Sequence, residues 1–427
     1  MERIVSSVHS LQGEISVPGD KSISHRAVMI GAISNGVTEI SGFLNAADPR
    51  STLSCFQQLG IHYTIEKNTL FVHGKGLYGL HKPTSILDAG NSGTTIRLLS
   101  GILAGQNFSS TITGDQYLCR RPMKRIIEPL TAMGAQITAQ ENFTAPLTIN
   151  GIYPLKAIDY KLPIASAQVK SAILFAGLYA DGTTRVIETE SSRNHTERML
   201  GLRIEHINGA TIISVNGGMQ IPARQFLIPG DPSSAAFFIV AALIVPHSHV
   251  VIKNVGLNPT RTGFISILKK MNARLSVENE REIGGELIGD VVVQSSDLKT
   301  DMTVSGNIIP NIIDEIPILS VAAAFADGTF AVRDAADLRN KETDRIKAIC
   351  HNLRKMGIDV EEYSDGFAFE SKNNIIPNEF DSFDDHRIAM AFGIASLALK
   401  GESKVLNTEC VGISFPEFWH TIELLQQ

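Results

Sequence analysis

Two cationic and two hydroxyl side chains follow a Pro-Gly-Asp turn near the beginning of the 427-residue chain, in the run PGDKSISHR at residues 18–26. The run PGDPSSAA at residues 229–236 repeats the turn, with proline and alanine in place of the cations. Each run follows apolar residues and precedes a segment of small apolar residues, which predicts a strand, a glycine turn and a buried helix. Helix N-termini bind anions because their first N–H groups lack partners within the helix. The first run is therefore a candidate site for an anionic small molecule.

Side chains that could bind or protonate a substrate recur at other predicted helix starts. They are Asn91, Thr94, Arg97, Ser166, Gln168, Lys170, Asp314, Glu315, His386 and Arg387. Any one of them could be a helix cap or a surface ion pair. Their recurrence at equivalent places favours one shared site.

Two cationic stretches lie outside these helix starts. RRPMKR at residues 120–125 is either a solvated loop or a clamp for phosphate or carboxylate. RNKETDR at residues 339–345 is predicted to open a helix with Lys341 and Arg345 on one face. An exposed, ion-paired helix start is the alternative for this second stretch.

The strand-turn-helix pattern occurs six times, at a spacing of about 70 residues, beyond the periods of ordinary solenoid repeats. Between the copies, amphipathic segments end at Gly60, Gly134, Asn272 and Gly357 and lead into alternating apolar and polar residues. This pattern is typical of a helix followed by a hairpin. The sequence therefore predicts an α/β protein of six βαβαββ repeats in two triplets, the second beginning at residues 229–231.

Composition narrows the class of protein. Hydrophobic residues make up 43% of the chain and charged residues 19%, as in soluble globular proteins, and no apolar run reaches the roughly 18 residues of a membrane span. The first residues lack the pattern of a signal peptide, so we expect a cytoplasmic protein without membrane partners. Four scattered cysteines predict neither a zinc ribbon nor a disulfide framework. The net charge of −6 argues against nucleic-acid binding.

Six motifs in order identify a family resemblance: GDKSISHR (19–26), GNSGTTIR (90–97), RP (121–122), DEIP (314–317), KETDR (341–345) and DHRIAM (385–390). Over essentially its whole length the chain resembles the EPSP synthase (3-phosphoshikimate 1-carboxyvinyltransferase, EC 2.5.1.19) family. The resemblance implies a two-domain α/β fold of the enolpyruvyl transferase type, an inside-out α/β barrel with three βαβαββ repeats in each domain. It implies one domain at 19–229, the other at 1–18 and 230–427, a hinge near 18–20 and 229–231, and closure of the domains around substrate.

The implied reaction moves the enolpyruvyl group of phosphoenolpyruvate to the 5-hydroxyl of shikimate 3-phosphate and releases phosphate. The resemblance makes Lys21, Asp314 and Glu342 the catalytic residues. The substrate-binding residues that it implies are Lys21, Ser22, Arg26, Asn91, Gly93, Arg121, Ser166, Ala167, Gln168, Arg193, Asp314, Lys341, Arg345 and Arg387. Among these, Arg121, Arg345 and Arg387 would grip phosphoenolpyruvate. It implies no metal, no cofactor and a monomer.

The chain departs from the common family pattern in three places. Ala167 stands where many members have a second serine, which removes one hydroxyl from the phosphate site. The stretch RNHTE beginning at Arg193 resembles a divergent, class II-like branch in which an arginine takes over phosphate binding. A lysine common shortly before the final Phe-Pro is missing before Phe415. Gly93 is the family's glyphosate-permitting residue, so we expect glyphosate to inhibit.

Two other functions compete with this interpretation. The UDP-N-acetylglucosamine enolpyruvyl transferase family shares the repeat architecture, but its reactive cysteine position is Gln116 here and its Lys-Asn pair is Lys21-Ser22. A non-enzymatic anion-binding protein on the same scaffold would be expected to lack acid–base groups, whereas Asp314 and Glu342 are present.

Overall fold

All six predicted helix starts lead into helices in the computed structural model, which describes residues 1–371 and 374–426. The helices are α1 (Lys21–Ala32), α2 (Ala47–Gln58), α3 (Gly93–Ala104), α4 (Lys124–Ala132), α5 (Ala167–Gly177), α6 (His195–Leu200), α7 (Pro232–Ile244), α8 (Gly263–Lys270), α9 (Ile309–Ile312), α10 (Ile316–Ala324), α11 (Arg345–Lys355), α12 (His386–Ala398) and α13 (Phe418–Leu425). The six predicted starts correspond to α1, α3, α5, α7, α10 and α12.

The strands alternate with these helices along the chain. In the first part they are β1 (Arg3–Ser6), β2 (Gln12–Ser16), β3 (Asn35–Ser41), β4 (His62–Glu66), β5 (Thr69–Lys75), β6 (Leu87–Asp88), β7 (Ser109–Thr113), β8 (Gln136–Gln140), β9 (Thr144–Asn150), β10 (Leu155–Lys156), β11 (Asp159–Lys161), β12 (Ala180–Asp181), β13 (Thr183–Glu188), β14 (Arg203–Ile207) and β15 (Ala210–Asn216). They continue as β16 (Gln225–Leu227), β17 (His249–Gly256), β18 (Arg274–Ile283), β19 (Glu286–Gln294), β20 (Lys299–Val304), β21 (Asp327–Val332), β22 (Val360–Tyr363), β23 (Gly366–Glu370), β24 (Glu379–Asp381) and β25 (Glu402–Leu406).

The chain divides into two compact units, each with its own hydrophobic core. One, the 19–228 unit, is continuous from Gly19 to Ile228. The other, the split unit, combines Met1–Pro18 with the chain from Pro229 onward. The hinge predicted at the junctions of these units stays a prediction.

Each repeat supplies most of the strands of one small mixed sheet. In the order β6-β7-β9-β8, for example, β6 runs parallel to β7, and β7 runs antiparallel to β9 of the following hairpin. The sheets β11-β13-β15-β14 and β20-β21-β23-β22 repeat this order. In these three sheets helical segments connect the two parallel strands, because parallel strands need a crossover connection.

The strands that lead into the two Pro-Gly-Asp turns do not pair within the repeat that follows them. Strand β2 precedes α1 but pairs with β17 of the split unit, and β16 precedes α7 but pairs with β3 of the 19–228 unit. Both turns require glycine because the backbone is crowded there. A Cβ on Gly19 would lie 1.9 Å from the Gly42 carbonyl oxygen, and one on Gly230 would lie 2.9 Å from a Val17 methyl carbon.

The sixth repeat differs from the predicted pattern in one strand. Its sheet has the order β1-β25-β24, so β1 from the beginning of the chain takes the place of the inner hairpin strand. The predicted helix-to-hairpin turns are confirmed in four other repeats, where Gly60, Gly134, Asn272 and Gly357 all have positive φ, between 66° and 105°. This left-handed conformation ends a helix and favours glycine or asparagine.

The first helix of each repeat forms the core of its unit. Helices α3 and α5 pack so closely in the 19–228 unit that a Cβ on Gly101 would lie 2.1 Å from the Ala172 carbonyl oxygen. In the split unit α7, α10 and α12 pack against one another. These helices are buried on nearly every side, so their ends supply much of the accessible chemistry.

By length and hydropathy, no single helix of the described residues could cross a membrane. The bent pair Gly306–Ile312 and Ile316–Ala324, with an angle of 105° between its parts, meets those two criteria only when its parts are combined.

Candidate active site

The N-terminal ends of α1, α3 and α5 meet in the 19–228 unit. Arg97 Nη1 of α3 donates to Gln168 Oε1 of α5 at 2.8 Å, and Gln168 Nε2 donates to Thr94 Oγ1 at 3.0 Å. Arg26 of α1 reaches Ser171 of α5 at 3.0 Å. Three helix N-termini, which carry partial positive charge, therefore lie together with several cations, an arrangement that favours anions.

Lys21, the first residue of α1, forms an ion pair with Asp48 of α2 at 3.1 Å. Asp20 caps the helix by accepting a hydrogen bond from the Ile23 N–H, so the turn itself fixes the direction in which Lys21 leaves the backbone. The Lys21 side chain is 18% exposed, which leaves it within reach of a ligand. The sequence reasoning missed Asp48 because its only signal is a position in the first turn of α2.

Arg26 is almost completely buried and held on three sides. Its Nε donates to Thr196 Oγ1 at 2.7 Å, and its Nη1 donates to the Ser22 carbonyl oxygen at 2.8 Å. Thr196 Oγ1 also lies 2.7 Å from Ser171 Oγ. The sequence predicted Arg26 and Ser22, but the two hydroxyl partners come from α5 and α6 and only folding brings them near.

Arg121 lies in the predicted cationic loop and is also nearly buried. Its Nη2 donates to Asn91 Oδ1 at 2.7 Å, and Asn91 Nδ2 donates to Asp115 Oδ2 at 2.7 Å. The asparagine therefore orients the guanidinium and is itself oriented. The clamp interpretation of the 120–125 loop fits Arg121, whereas Arg120, Lys124 and Arg125 are exposed, as the solvated-loop alternative expects.

Gly93 is the first residue of α3 and lies against two guanidinium groups. A Cβ there would lie 2.7 Å from Arg97 Nη1 and 3.3 Å from Arg121 Nη1. A glycine at this position thus gives the cations room to approach the helix end.

Ser166, Ala167 and Arg193 lie near the beginnings of α5 and α6. Ser166 is the N-cap of α5 and its hydroxyl accepts a hydrogen bond from the Val169 N–H at 3.4 Å, so it has the capping role that the sequence offered as an alternative. Ala167 is the first helical residue. Arg193 is half-buried in the segment between β13 and α6.

The 19–228 unit also contains buried titratable side chains. Burial lowers the pKa of His25 well below its usual value, and Lys21 and Arg26 lower it further, so the ring is neutral. Lys170 is fully buried between Glu188 at 2.8 Å and Glu197 at 2.7 Å. Burial raises the pKa of Glu188 even though Lys170 opposes this shift.

A second cluster lies in the split unit, around the buried guanidinium of Arg345. Its Nε donates to Asp385 at 2.7 Å, its Nη2 to Glu342 at 2.6 Å and its Nη1 to Asp314 at 3.2 Å. Burial opposes the positive charge, but the three carboxylates hold the pKa of Arg345 above its usual value. The cluster therefore fixes two partly exposed carboxylates, Asp314 and Glu342, on one permanent cation.

Asp314 has two further cationic neighbours. Lys341 Nζ lies 3.4 Å from its Oδ1, and Arg387 Nη2 lies 3.8 Å from its Oδ2. Arg387 Nη1 also donates to the Asp314 carbonyl oxygen at 3.1 Å. All five site residues that the family resemblance implies in the second half of the chain are thus brought together.

The prediction that Lys341 and Arg345 lie on one face of a helix is wrong. Helix α11 begins at Arg345, with Asp344 as its N-cap, and Lys341 lies in the turn after a short 3₁₀ helix at Ala336–Asn340. Asp344 ends the preceding loop because its carboxylate accepts a hydrogen bond from the Lys347 N–H. Both cations instead form ion pairs with Asp314.

Sequence reasoning also left Asp385 out of the site. This fully buried residue caps α12, accepting from the Arg387 N–H at 2.8 Å, and also binds Arg345. Its position directly before His386 and Arg387 is a helix N-cap signal that could have indicated it. Among the described residues, no group of His, Cys, Asp and Glu side chains could hold a metal ion.

Comparison with known proteins gives a consistent result. The sequence profile of the EPSP synthase (3-phosphoshikimate 1-carboxyvinyltransferase) family matches residues 5–422. The 3-phosphoshikimate 1-carboxyvinyltransferase of Thermoanaerobacter sp. (strain X514) is 50% identical to this chain, and the match covers 100% of each protein. The enzyme of that name from Geobacter metallireducens is also 50% identical, over 98% of each protein.

Solved structures agree with this match. The EPSP synthase of Acinetobacter baumannii is 44% identical, with a TM-score of 0.87 over 100% of this chain and 98% of that one. The enolpyruvyl transferase NikO of Streptomyces tendae is 15% identical, with a TM-score of 0.78 over 99% and 96%, and shares the fold. The predicted enolpyruvyl transferase fold is therefore confirmed. This chain belongs to the EPSP synthase (3-phosphoshikimate 1-carboxyvinyltransferase) family.

Proposed function

We propose that the two clusters divide the work of one reaction, with anion binding in both and proton transfer centred on Arg345. The reaction is the family's carboxyvinyl transfer in the shikimate pathway. The enolpyruvyl group of phosphoenolpyruvate moves to the 5-hydroxyl of shikimate 3-phosphate, and phosphate leaves. One observation carries the proposal: Arg345 joins Asp314 at 3.2 Å and Glu342 at 2.6 Å, so one buried cation fixes two carboxylates that could move protons.

The substrates explain why an acidic protein needs so many local cations. Two phosphates and two carboxylates enter the site, and guanidinium groups match both by paired hydrogen bonds. We assign phosphoenolpyruvate to Arg121, Arg345 and Arg387. Asn91 supports Arg121 through the 2.7 Å hydrogen bond, and Lys341 adds a further positive charge next to Asp314.

Shikimate 3-phosphate is assigned to the ends of α1, α5 and α6. Ser22, Arg26, Ser166, Gln168 and Arg193 supply its partners, and Lys21 contacts both substrates. Ala167 offers no hydroxyl, so Arg193 takes a larger share of the phosphate charge. Arg26 acts from a buried position, where its orientation is already fixed by Thr196 and Ser171.

Protons move at two places in this reaction. Asp314 orients the attacking hydroxyl and accepts its proton, and Glu342 with Lys21 delivers a proton to the methylene carbon of the enolpyruvyl group. The tetrahedral adduct then loses the proton and phosphate. Acid–base groups must lie within hydrogen-bond reach of the reacting atoms, so a fixed carboxylate pair suits this chemistry.

The remaining predictions belong to the same proposal. Gly93 leaves room for glyphosate, which should inhibit by occupying the phosphoenolpyruvate site. The protein works as a cytoplasmic monomer that needs neither metal nor organic cofactor. The segments at 18–20 and 229–231 act as its hinge.

An assay of acceptor choice tests the function. Purified protein is mixed with phosphoenolpyruvate and either shikimate 3-phosphate or UDP-N-acetylglucosamine, and both released phosphate and the coupled product are measured. We expect turnover with shikimate 3-phosphate alone. Turnover with the sugar nucleotide, or with neither acceptor, would contradict the proposal. Glu342→Gln should be nearly inactive, while Glu361→Gln, an exposed glutamate of the same unit, should keep full activity.

A further inference from the structure

The second Pro-Gly-Asp turn has a buried polar network that the proposed mechanism does not use. Asp231 caps α7 by accepting from the Ser233 N–H at 2.8 Å. The same carboxylate oxygen accepts from Arg261 Nη2 at 3.0 Å. Arg261 and Ser233 are 1% and 3% exposed, so this network lies away from solvent.

The hydroxyl of Ser233 connects this network to the carboxylate of Glu315. Arg261 Nη2 donates to Ser233 Oγ at 2.9 Å, and Ser233 Oγ donates to Glu315 Oε1. A guanidinium can only donate, so the serine oxygen accepts from it and turns its own proton toward Glu315. A hydroxyl polarised by a cation is a stronger donor, which ties Glu315 firmly in place.

Glu315 in turn faces Arg387. Its Oε1 lies 3.8 Å from Arg387 Nη1, and it is the residue next to Asp314, whose carbonyl oxygen accepts from the same nitrogen at 3.1 Å. A shift of Glu315 would therefore move both the Arg387 guanidinium and the backbone that carries Asp314. Both ends of this network belong to the split unit.

We infer that Ser233 and Arg261 are positioning residues for phosphoenolpyruvate, acting through Glu315 on Arg387. The inference rests on the proposed function, in which Arg387 grips phosphoenolpyruvate. The second Pro-Gly-Asp turn, at 229–231, therefore still contributes to substrate binding, although proline and alanine follow it where cations follow the first turn.

Steady-state kinetics of the full chain test this inference. Ser233→Ala should raise KM for phosphoenolpyruvate about tenfold, since it removes one hydrogen bond to a buried charge. KM for shikimate 3-phosphate should stay unchanged, and Ser233→Thr, which keeps the hydroxyl, should restore most of the affinity. Ser320→Ala is the matched control: it is buried in α10, and its hydroxyl donates to the Ile316 carbonyl oxygen at 2.7 Å, within the same helix.

A double-mutant cycle separates positioning from general stabilisation. Glu315→Gln can still accept from Ser233 but loses its charge toward Arg387, so it should also raise KM for phosphoenolpyruvate. If both residues act through one network, the double variant should be little worse than the poorer single variant. Multiplied effects, or a KM for phosphoenolpyruvate within about twofold of wild type in Ser233→Ala, would overturn the inference.

Two results keep the test interpretable. If Ser233→Ala does not fold, the inference is tested with Glu315→Gln alone. An unchanged KM for phosphoenolpyruvate in that variant would refute the proposed role of the network. If the wild-type protein shows no turnover of shikimate 3-phosphate, the proposed function fails first, which is a different outcome from an active enzyme that is insensitive at Ser233.

Discussion

Replacing Gly93 by alanine places a methyl group against the two arginines at the beginning of α3. The added Cβ would lie 2.7 Å from Arg97 Nη1, whereas ordinary contacts of this kind begin at 3.4 Å. The Arg97 guanidinium must therefore retreat by about 0.7 Å, the difference between these two distances. Arg121 Nη1, at 3.3 Å from the same Cβ, needs a smaller shift.

Two effects follow from these contacts. Arg97 Nη1 lies 2.8 Å from Gln168 Oε1, so a retreat of this size along the bond lengthens it to about 3.5 Å, the limit for a hydrogen bond. Because this bond lies within the protein, its loss lowers the free energy of unfolding, by about 1.5–3 kcal/mol at most. Ligand affinity changes through Arg121, which we assign to phosphoenolpyruvate, and the loss of one hydrogen bond from this guanidinium to a ligand corresponds to about 10- to 150-fold in affinity. Phosphoenolpyruvate and glyphosate should both bind more weakly. Glyphosate should lose more affinity than phosphoenolpyruvate, because it is the longer molecule and leaves less space for the added methyl group.

Inhibition kinetics measure both losses in one experiment. We expect the inhibition constant for glyphosate to rise more than KM for phosphoenolpyruvate in Gly93→Ala, with a small decrease in the melting temperature from the lengthened Arg97–Gln168 bond. Gly412→Ala is the control substitution, because a Cβ there has no atom within 4 Å among the described residues. An unchanged inhibition constant in Gly93→Ala would show that the methyl group is accommodated and that the reasoning is wrong.

Three other substitutions test the assigned roles. Asp314→Asn should lower kcat by about 10²–10⁴-fold with smaller changes in either KM, because a positioned proton acceptor is lost. Arg121→Ala should raise KM for phosphoenolpyruvate by about tenfold or more and leave shikimate 3-phosphate binding nearly unchanged, as isothermal titration can show. Lys170→Met should lower the free energy of unfolding by about 3–5 kcal/mol, since it leaves buried carboxylates without their cation. Burial already raises the pKa of Glu188 and Lys170 opposes that rise, so this variant should lose further stability as pH rises above 4.5 in urea denaturation.

The sign of the pH dependence expected for Lys170→Met follows from the protons bound by the folded and unfolded chains. A carboxyl group whose pKa is raised in the folded protein binds more protons there than in the unfolded chain, so acid favours folding and alkali opposes it. The pH window begins at the ordinary value of 4.5 and extends up to the raised value. Lys161→Met, on an exposed lysine, should show no such pH dependence. A flat stability profile in Lys170→Met would mean that the buried carboxylates find another cation.

Matched controls separate the other two effects from damage to the fold. Asp327→Asn changes an exposed aspartate of the split unit and should leave kcat unchanged. Arg120→Ala removes the exposed neighbour of Arg121 and should leave both KM values near wild type. If Arg121→Ala weakens both substrates equally, the assignment of that residue to phosphoenolpyruvate is wrong.

Local signals in the sequence determined the repeat and the places where chemistry begins. A Pro-Gly-Asp turn predicts a capped helix wherever it occurs, because the aspartate accepts a backbone hydrogen bond and glycine fits a crowded turn. Both Asp20 and Asp231 cap their helices as expected. The same local reasoning failed at Lys341, because the cap at Asp344 begins the helix at Arg345 and leaves Lys341 outside it.

Tertiary structure alone decided which charges meet. Nothing near Lys21 in the sequence predicts Asp48, and nothing near Arg345 predicts Asp385, 40 residues away. Likewise, the hydroxyl of Ser233 reaches Glu315 across 82 residues of sequence. Helix starts and turns depend on a few neighbouring residues, so the sequence by itself determines them. Ion pairs depend on how the helices of each unit pack, so the partners of Lys21, Arg345 and Ser233 are set only when the chain folds.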